Sequence, residues 1–423
     1  MLKCSKNAYD ACYGRALFRA GEVGVRKADG SGAWDAVMFT AGFWIIAVSL
    51  WLQVGYMGAA LGRIATGSMQ VHVDFDSFWL SAKAMLEGQD IYDTGVKLVN
   101  LNPPVWTALI SPLGLLEPIT AYRVFVLISL VVTIGYLAWT VEELRLRPGW
   151  TAVGVVMLLL SSPLLATLAL GQVYPVLALG LVAAWIADRR ERQEISGAAL
   201  GLVVALKPSL LPVLLWPLVR RKWSAFVAAV VCGAVVTLIG VVALGPGATF
   251  DYIGVLRDQS VSPYWDNASL PAAAARLFTE NSYARNVASL PWIVPFGYAL
   301  GIAAIAITAM RVRHGPEVGL WVLVAASLLA SPIAWHNYLV LLGPGVLLLL
   351  ARGMVAPAFL LLALQSIPAQ WPLIWNQRGT VIATLALTLY LYILIAHWLA
   401  LLVATREPAG TPTKLPGAGS APE

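Results

Sequence analysis

Long apolar runs constrain this chain more than any other feature. The first, "AVMFTAGFWIIAVSLWLQVGYMGAALG" from residue 36, exceeds the ~20 apolar residues that cross a bilayer. Comparable runs recur almost to the C-terminal end. Of the 423 residues, 59% are hydrophobic and 12% charged, about half the charge of a typical soluble domain. An all-α polytopic membrane protein is expected, because a helix satisfies its own backbone in lipid. No small-residue cleavage site follows the first run, so it reads as a retained span rather than a signal peptide.

The net charge of +6 is no nucleic-acid signature, since the basic residues sit in short clusters between apolar runs, as membrane topology demands. Cys4 and Cys12 lie in the N-terminal tail and Cys232 within an apolar run, which is no disulfide framework. No His/Cys cluster has metal-ligand spacing and no glycine-rich phosphate loop joins a strand to a helix. Neither a soluble nucleotide-binding domain nor a cofactor is expected.

Basic clusters set the orientation. Lys3, Lys6, Arg15, Arg19, Arg26 and Lys27 mark residues 1–35 as a cytoplasmic tail. The same side receives Arg145 and Arg147, then Arg189, Arg190 and Arg192, then Arg220, Arg221 and Lys222, then Arg311 and Arg313. Spans are then expected at 36–60, 121–141, 151–170, 172–187, 223–244, 291–310, 317–332, 339–351, 355–371 and 380–403. The Pro/Gly/Ala-rich residues 405–423 form a disordered cytoplasmic tail. Residues 63–101 and 246–290 form two long extracytoplasmic loops.

Two stretches do not make simple spans. "PPVWTALISPLGLL" (103–116) is short and proline-broken and reads as a half-membrane or interfacial helix. "SGAALGLVVALKPSLLPVLLWPLVRRK" (196–222) starts and ends beside cytoplasmic arginines. It reads as a broken hairpin with its tip at Lys207, tolerated where it is buried or lines a cavity, and such interrupted segments point to binding sites. With these, the bundle should hold about 11–13 membrane helices.

This topology collects the polar motifs on the outer face: "DFDSFW" (74–79), "NLNPP" (100–104), "GQVYP" (171–175), "DNASL" (266–270) and "SPIAWHNY" (331–338). Apolar residues at 75, 78, 79, 82, 85 and 86 form a helical stripe, which suggests a juxtamembrane helix lying on the membrane surface. Asp74 or Asp76 at its start is a candidate general base for an acceptor hydroxyl; a solvated surface helix is the alternative. The two point in different directions on a helix, so they should not share one ligand. Lys207, costly in hydrocarbon, calls for a cavity and an anionic partner such as phosphate, unless it snorkels to the interface. His336, like His72 on the outer face, could orient a hydroxyl as neutral imidazole or meet a phosphate as a cation; a satisfied interfacial group is the alternative. Asn102, Gln172, Asn267 and Arg276 are weaker singly, each compatible with loop chemistry.

Taken in order, these motifs, with "GAALGLVVALKPSLLPVLLWPLVRRKW", resemble glycosyltransferase family 87 of the GT-C superfamily over roughly residues 36–352. The resemblance implies a GT-C-like catalytic domain over residues 36–404, in the plasma membrane with both termini cytoplasmic. It implies transfer of a sugar, mannose by resemblance, from a polyprenyl-phosphate donor to a glycolipid or polysaccharide hydroxyl. Asp74 matches the acidic residue of the family's first outer loop. Ser331, Pro332, Trp335, His336 and Tyr338 match its "SP..WH.Y" element, which adds His336 to the catalytic set, and Lys207 with Pro208 matches its "KP" turn. Asn102 stands where the family commonly has Tyr before the proline pair. Lys207 with Arg276 is then expected at the donor phosphate, and Asp76, Asn102, Gln172, Asn267, Trp335, Asn337 and Tyr338 at the substrates.

The rival class is a transporter or flippase of lipid-linked sugars. It would also carry a broken hairpin and an intramembrane lysine, but transporters show internal repeats. No second copy of "LKPSLLP" or "DFDSF" exists. A scaffold subunit would leave the collected polar motifs unexplained.

Overall fold

The structure is a computed structural model that describes residues 31–65, 73–96, 98–313, 315–369 and 379–406. His72 and most of both tails lie outside the described residues. Among these the chain is all-helical, and the one extended pairing is an isolated antiparallel bridge between Asn267 and Trp335.

Four helices are each long and apolar enough to cross a membrane: α1 (Ser31–Ala65), α4 (Pro118–Leu144), α10 (Trp223–Asp258) and α12 (Val294–Val312), the last opened by a short 3-10 turn at Pro291–Ile293. Two bent pairs raise the count to six. One is α5 (Pro148–Leu159) with α6 (Ser162–Leu170), bent by 42°; the other is α16 (Val381–Leu387) with α17 (Leu389–Ala404), bent by 40°. The remaining apolar helices are 10–17 residues long, so 11–13 crossings would require short and broken helices to complete the bundle.

The short helices are inside. In α13 (Pro316–Ala330) and in the 3-10 turn His336–Leu342 with α14 (Gly343–Ala351), nearly every described side chain is buried. A helix apolar all round belongs in a core. The long helices face outward: only 11% of the apolar window of α10 is buried inside the protein, and Val235, Leu238, Ile239 and Val242 point away from it.

Apolar side chains gain little by leaving lipid, so close contact between helices relies on small residues. Helix α8 (Gln193–Leu206) lays Gly197 and Gly201 against Ala225, Ala229 and Gly233 of α10. A Cβ on Gly197 would stand 2.0 Å from the Ala225 carbonyl oxygen, and one on Gly201 2.2 Å from that of Ala229.

The proline-broken segment 196–222 folds as expected. Helix α8 ends at Leu206, Lys207 leaves helical geometry (φ −144°, ψ 84°), and a 3-10 turn (Pro208–Leu214) leads into α9 (Leu215–Val219). Residues 103–116 form α3 (Pro104–Ile110) and a 3-10 turn (Ser111–Leu115). The expected loop after residue 244 is more ordered than its polarity suggests. Gly245, at φ +83°, turns the chain before Pro246, and helix then continues to Asp258, where Tyr252 stacks on Tyr92.

One end of the bundle is bound by charge. Glu143 of α4 takes Arg189 and Arg190 from the end of α7 (Tyr174–Arg189) at 3.0 and 2.8 Å. Asp188 pairs with Arg220 at 2.9 Å and with Lys222. Glu317 pairs with Arg189 and, at 3.1 Å, with Arg352, which also donates to the Ala404 carbonyl.

Gly201→Val tests the α8–α10 contact. The added side chain meets backbone that must move, an overpacking cost of about 1–3 kcal/mol, so the protein should unfold at lower temperature in detergent. Gly149→Ala, at a site with open space around it, should leave the unfolding temperature unchanged.

Candidate active site

Helix α2 (Val73–Glu87) carries the acidic pair in its first turn, where helix dipole and open N–H groups favour negative charge. The sequence suggested a stripe lying on the membrane surface; Phe75, Phe78 and Ala82 of that stripe are instead buried against protein, Trp79 and Met85 are half-buried, and Leu86 is exposed. Phe75 meets Tyr122 and Phe125, Phe78 meets Trp106, and the Trp79 indole donates to the Leu116 carbonyl at 3.0 Å. The reason is the proline-broken segment 103–116, whose Gly114 comes so close that a Cβ would stand 2.9 Å from the Lys83 nitrogen. Asp74 is thus fixed to the bundle from below.

Its lateral support comes from the turn after α6. Gly171 ends that helix in the left-handed region (φ +66°), and a Cβ there would strike the Phe75 ring at 2.7 Å. That contact brings the next residue, buried Gln172, to Asp74: its Nε2 donates to Oδ1 at 3.1 Å across 98 residues of chain. Tyr174, two residues on, lies within electrostatic reach of the Asp74 charge.

Lys207 reaches the same place from the broken hairpin. Its Nζ stands 5.9 Å from the centroid of the Tyr174 ring and 5.3 Å from that of Tyr338, and the two rings lie 4.1 Å apart. Among the described residues no carboxylate lies within ion-pair distance of this ammonium. Five residues from four parts of the chain therefore converge: Asp74, Gln172 with Tyr174, Lys207 and Tyr338.

The turn that delivers Tyr338 also carries Trp335, His336 and Asn337. It is clamped to the loop before α11 (Leu270–Phe278). The Asn267 amide donates to the Ser262 and Pro332 carbonyls and accepts from the Ser269 and Ala334 backbone nitrogens. The next residue back, Asp266, sets its carboxylate against His336 Nδ1 and accepts from the His336 backbone N–H at 3.2 Å. Tyr390 of α17 meets the imidazole edge-on, with centroids 5.0 Å apart. Asn337 is fully buried, its carbonyl accepting from Thr167, while its side-chain oxygen and nitrogen have no protein partner. Trp335 is half-buried and meets Tyr264 edge-on.

Three residues read from the sequence as ligand contacts have structural partners. Arg276 is completely buried, donating to the carbonyls of Tyr264 and Asn267 and to the Thr388 hydroxyl, while its Nη2 has no partner among the described residues. Burial lowers its pKa to about 10, with the Asp266 charge acting in the opposite direction, and it anchors the loop. Asn267 uses its amide on that loop as described. Asn102 donates to Asn100, which binds Ser81 and Thr107 in turn. Asp76 sits half-buried beside Asp74 in the same turn. Tyr174, Asp266, Tyr390 and Thr167 are the residues that sequence reasoning missed. Tyr174 and Asp266 stood inside quoted motifs, yet nothing local in the sequence tells an aromatic or acidic loop residue from its neighbours.

Comparison with known proteins agrees with this architecture. The model of glycosyltransferase family 87 matches residues 100–332, more than half of the chain. A polyprenol-phosphate-mannose-dependent alpha-(1-2)-phosphatidylinositol mannoside mannosyltransferase of Mycobacterium tuberculosis is 30% identical over 340 residues, 71% of this chain and 75% of the relative. An alpha-(1->3)-arabinofuranosyltransferase of Corynebacterium glutamicum is 24% identical over 291 residues, covering 66% and 65%. Another of the same name, from Mycobacterium tuberculosis, is 29% identical over 183 residues, covering 41% and 42%. No solved structure matches at a significant level. The matched segment contains the Lys207 break, the Gln172 turn and the Asp266 loop, and on this evidence the chain belongs to glycosyltransferase family 87.

Proposed function

We propose that the chain transfers mannose from a polyprenyl-phosphate donor to a glycolipid hydroxyl on the extracytoplasmic face, with Asp74 as general base. One observation carries this reading: the Asp74 carboxylate, held by Gln172, and the Lys207 ammonium, beside the paired rings of Tyr174 and Tyr338, come from segments over a hundred residues apart. The choice of mannose draws on the mycobacterial relative named for that donor. Sidedness draws on the opposite end of the bundle, where Arg189, Arg190, Arg220, Lys222 and Arg352 outnumber Glu143, Asp188 and Glu317. Basic residues favour the cytoplasm.

In this mechanism the acceptor oxygen attacks the anomeric carbon and its proton passes to Asp74. The bond from that carbon to the donor phosphate oxygen breaks, and polyprenyl phosphate leaves with the electron pair. One displacement inverts the anomeric configuration through an oxocarbenium-like transition state, as in other glycosyl transfers. Lys207 meets the charge that grows on the phosphate. A cation already in place, away from bulk water, does this without reorganising solvent. Gln172 holds the Asp74 carboxylate at one oxygen and leaves the other to the acceptor. The tyrosine rings offer flat apolar faces beside the sugar.

Two outcomes test the roles with radiolabelled polyprenyl-phosphate mannose and a phosphatidylinositol mannoside acceptor. Asp74→Asn keeps the Gln172 contact but cannot take the proton, so kcat should fall by roughly 100-fold or more. Turnover near that of the wild type would rule Asp74 out as base. For Lys207→Ala the donor KM should rise more than the acceptor KM; equal effects would make the lysine a structural residue.

A further inference from the structure

The proposed transfer uses Asp74 and Lys207 but leaves a second acid–base pair in the site unexplained. His336 and Asp266 lie 70 residues apart in sequence and come from different loops, yet the Asp266 carboxylate is in direct contact with Nδ1, although the two do not align as a regular hydrogen bond. Both side chains are largely enclosed, 7% and 13% exposed. A carboxylate at Nδ1 decides which ring nitrogen holds a proton and which way the ring faces. No hydrogen bond from a described residue reaches Nε2, the nitrogen on the far side of the ring.

This pair is not needed to hold the loops together. Asn267 makes four hydrogen bonds between and within them. Backbone bonds run from Ala268 N–H to the Ala334 carbonyl at 2.7 Å and from His336 N–H to the Asp266 carbonyl at 3.1 Å. Arg276 ties the same loop to α17 through Thr388. A loop fixed so many times over does not require a buried carboxylate against an imidazole. The groups around the ring are Asp266 from the loop, Arg276 from α11 behind that carboxylate and Tyr390 from α17. Tyr338 lies two residues on in the same turn and faces Lys207 of the broken hairpin and Tyr174 of α7.

We propose that Asp266 is a positioning residue for His336, holding the ring by Nδ1–H so that Nε2–H meets the donor phosphate as a second cation beside Lys207. This rests on the transfer reading above and adds to it a positioning residue. The site then has two devices of the same kind, Gln172 orienting the base and Asp266 orienting the cation.

The test uses the full chain in detergent with radiolabelled polyprenyl-phosphate mannose and a phosphatidylinositol mannoside, measuring kcat and the KM of each substrate. Asp266→Asn should unfold at the wild-type temperature and lose on the order of 100-fold in kcat/KM for the donor, with the acceptor KM unchanged. His336→Gln should show the same donor-side loss, and the double variant should be no worse than His336→Gln alone, because Asp266 acts through the ring. Asn267→Ala is the structural control and should lower the unfolding temperature. Equal effects on donor and acceptor KM in Asp266→Asn, additive losses in the double variant, or early unfolding of Asp266→Asn would each overturn the proposal. Asp74→Asn in the same assay separates the two ideas. If it stays active, the transfer reading itself falls. If it is inactive while Asp266→Asn behaves as wild type, only the positioning role is lost.

Discussion

In hydrocarbon an open backbone N–H or carbonyl has no water to turn to, and leaving one unbonded costs several kcal/mol. A membrane helix can therefore break only where protein encloses the break or a polar cavity receives it. Three breaks in this chain obey that constraint together: the left-handed turn at Gly171, the departure from helix at Lys207, and the turn that delivers residues 335–338. Each carries a polar side chain into the others' company. Gathering irregular backbone in one enclosed place is what brings Gln172 to Asp74 and Lys207 to Tyr174 and Tyr338.

The other end of the bundle gives the complementary half of the design. Exposed ion pairs contribute little, typically under about 1 kcal/mol, but this end is a network. Each of three carboxylates takes two basic side chains, and Arg352 adds the carbonyl end of α17. The helices α4, α7, α13 and α17 are thereby fixed at the end away from the site. Held there by charge and along their length by small residues, they can leave the other end to irregular turns without losing register.

Much of this was legible in the sequence. The spans at 121–141, 172–187 and 317–332 became helices within three residues of those bounds, because apolar length and flanking charge are local properties. The hairpin at 196–222 was readable from one lysine and two prolines. The orientation of α2 was not: its stripe was visible, but whether lipid or protein would cover it depended on Gly114, 28 residues downstream of its last stripe position. The anchoring of Arg276 was hidden for a similar reason. Nothing local in the sequence shows that the carbonyls of residues 264 and 267 surround it. The partnership of Asp266 with His336 depends on a bridge between distant loops that no spacing rule reports.

The length of the innermost helix has a consequence for how a lipid substrate arrives. Helix α13 has 15 residues, about 22 Å at 1.5 Å per residue, against a hydrocarbon layer of about 30 Å. Were the ionic end that holds Glu317 to sit at one boundary of that layer, the turn after the helix would lie about 8 Å beneath the other, and any tilt would sink it further. In the proposed transfer a carrier anchored by its isoprenoid tail would then slide in sideways at the depth where it already floats, without lifting its chain into water.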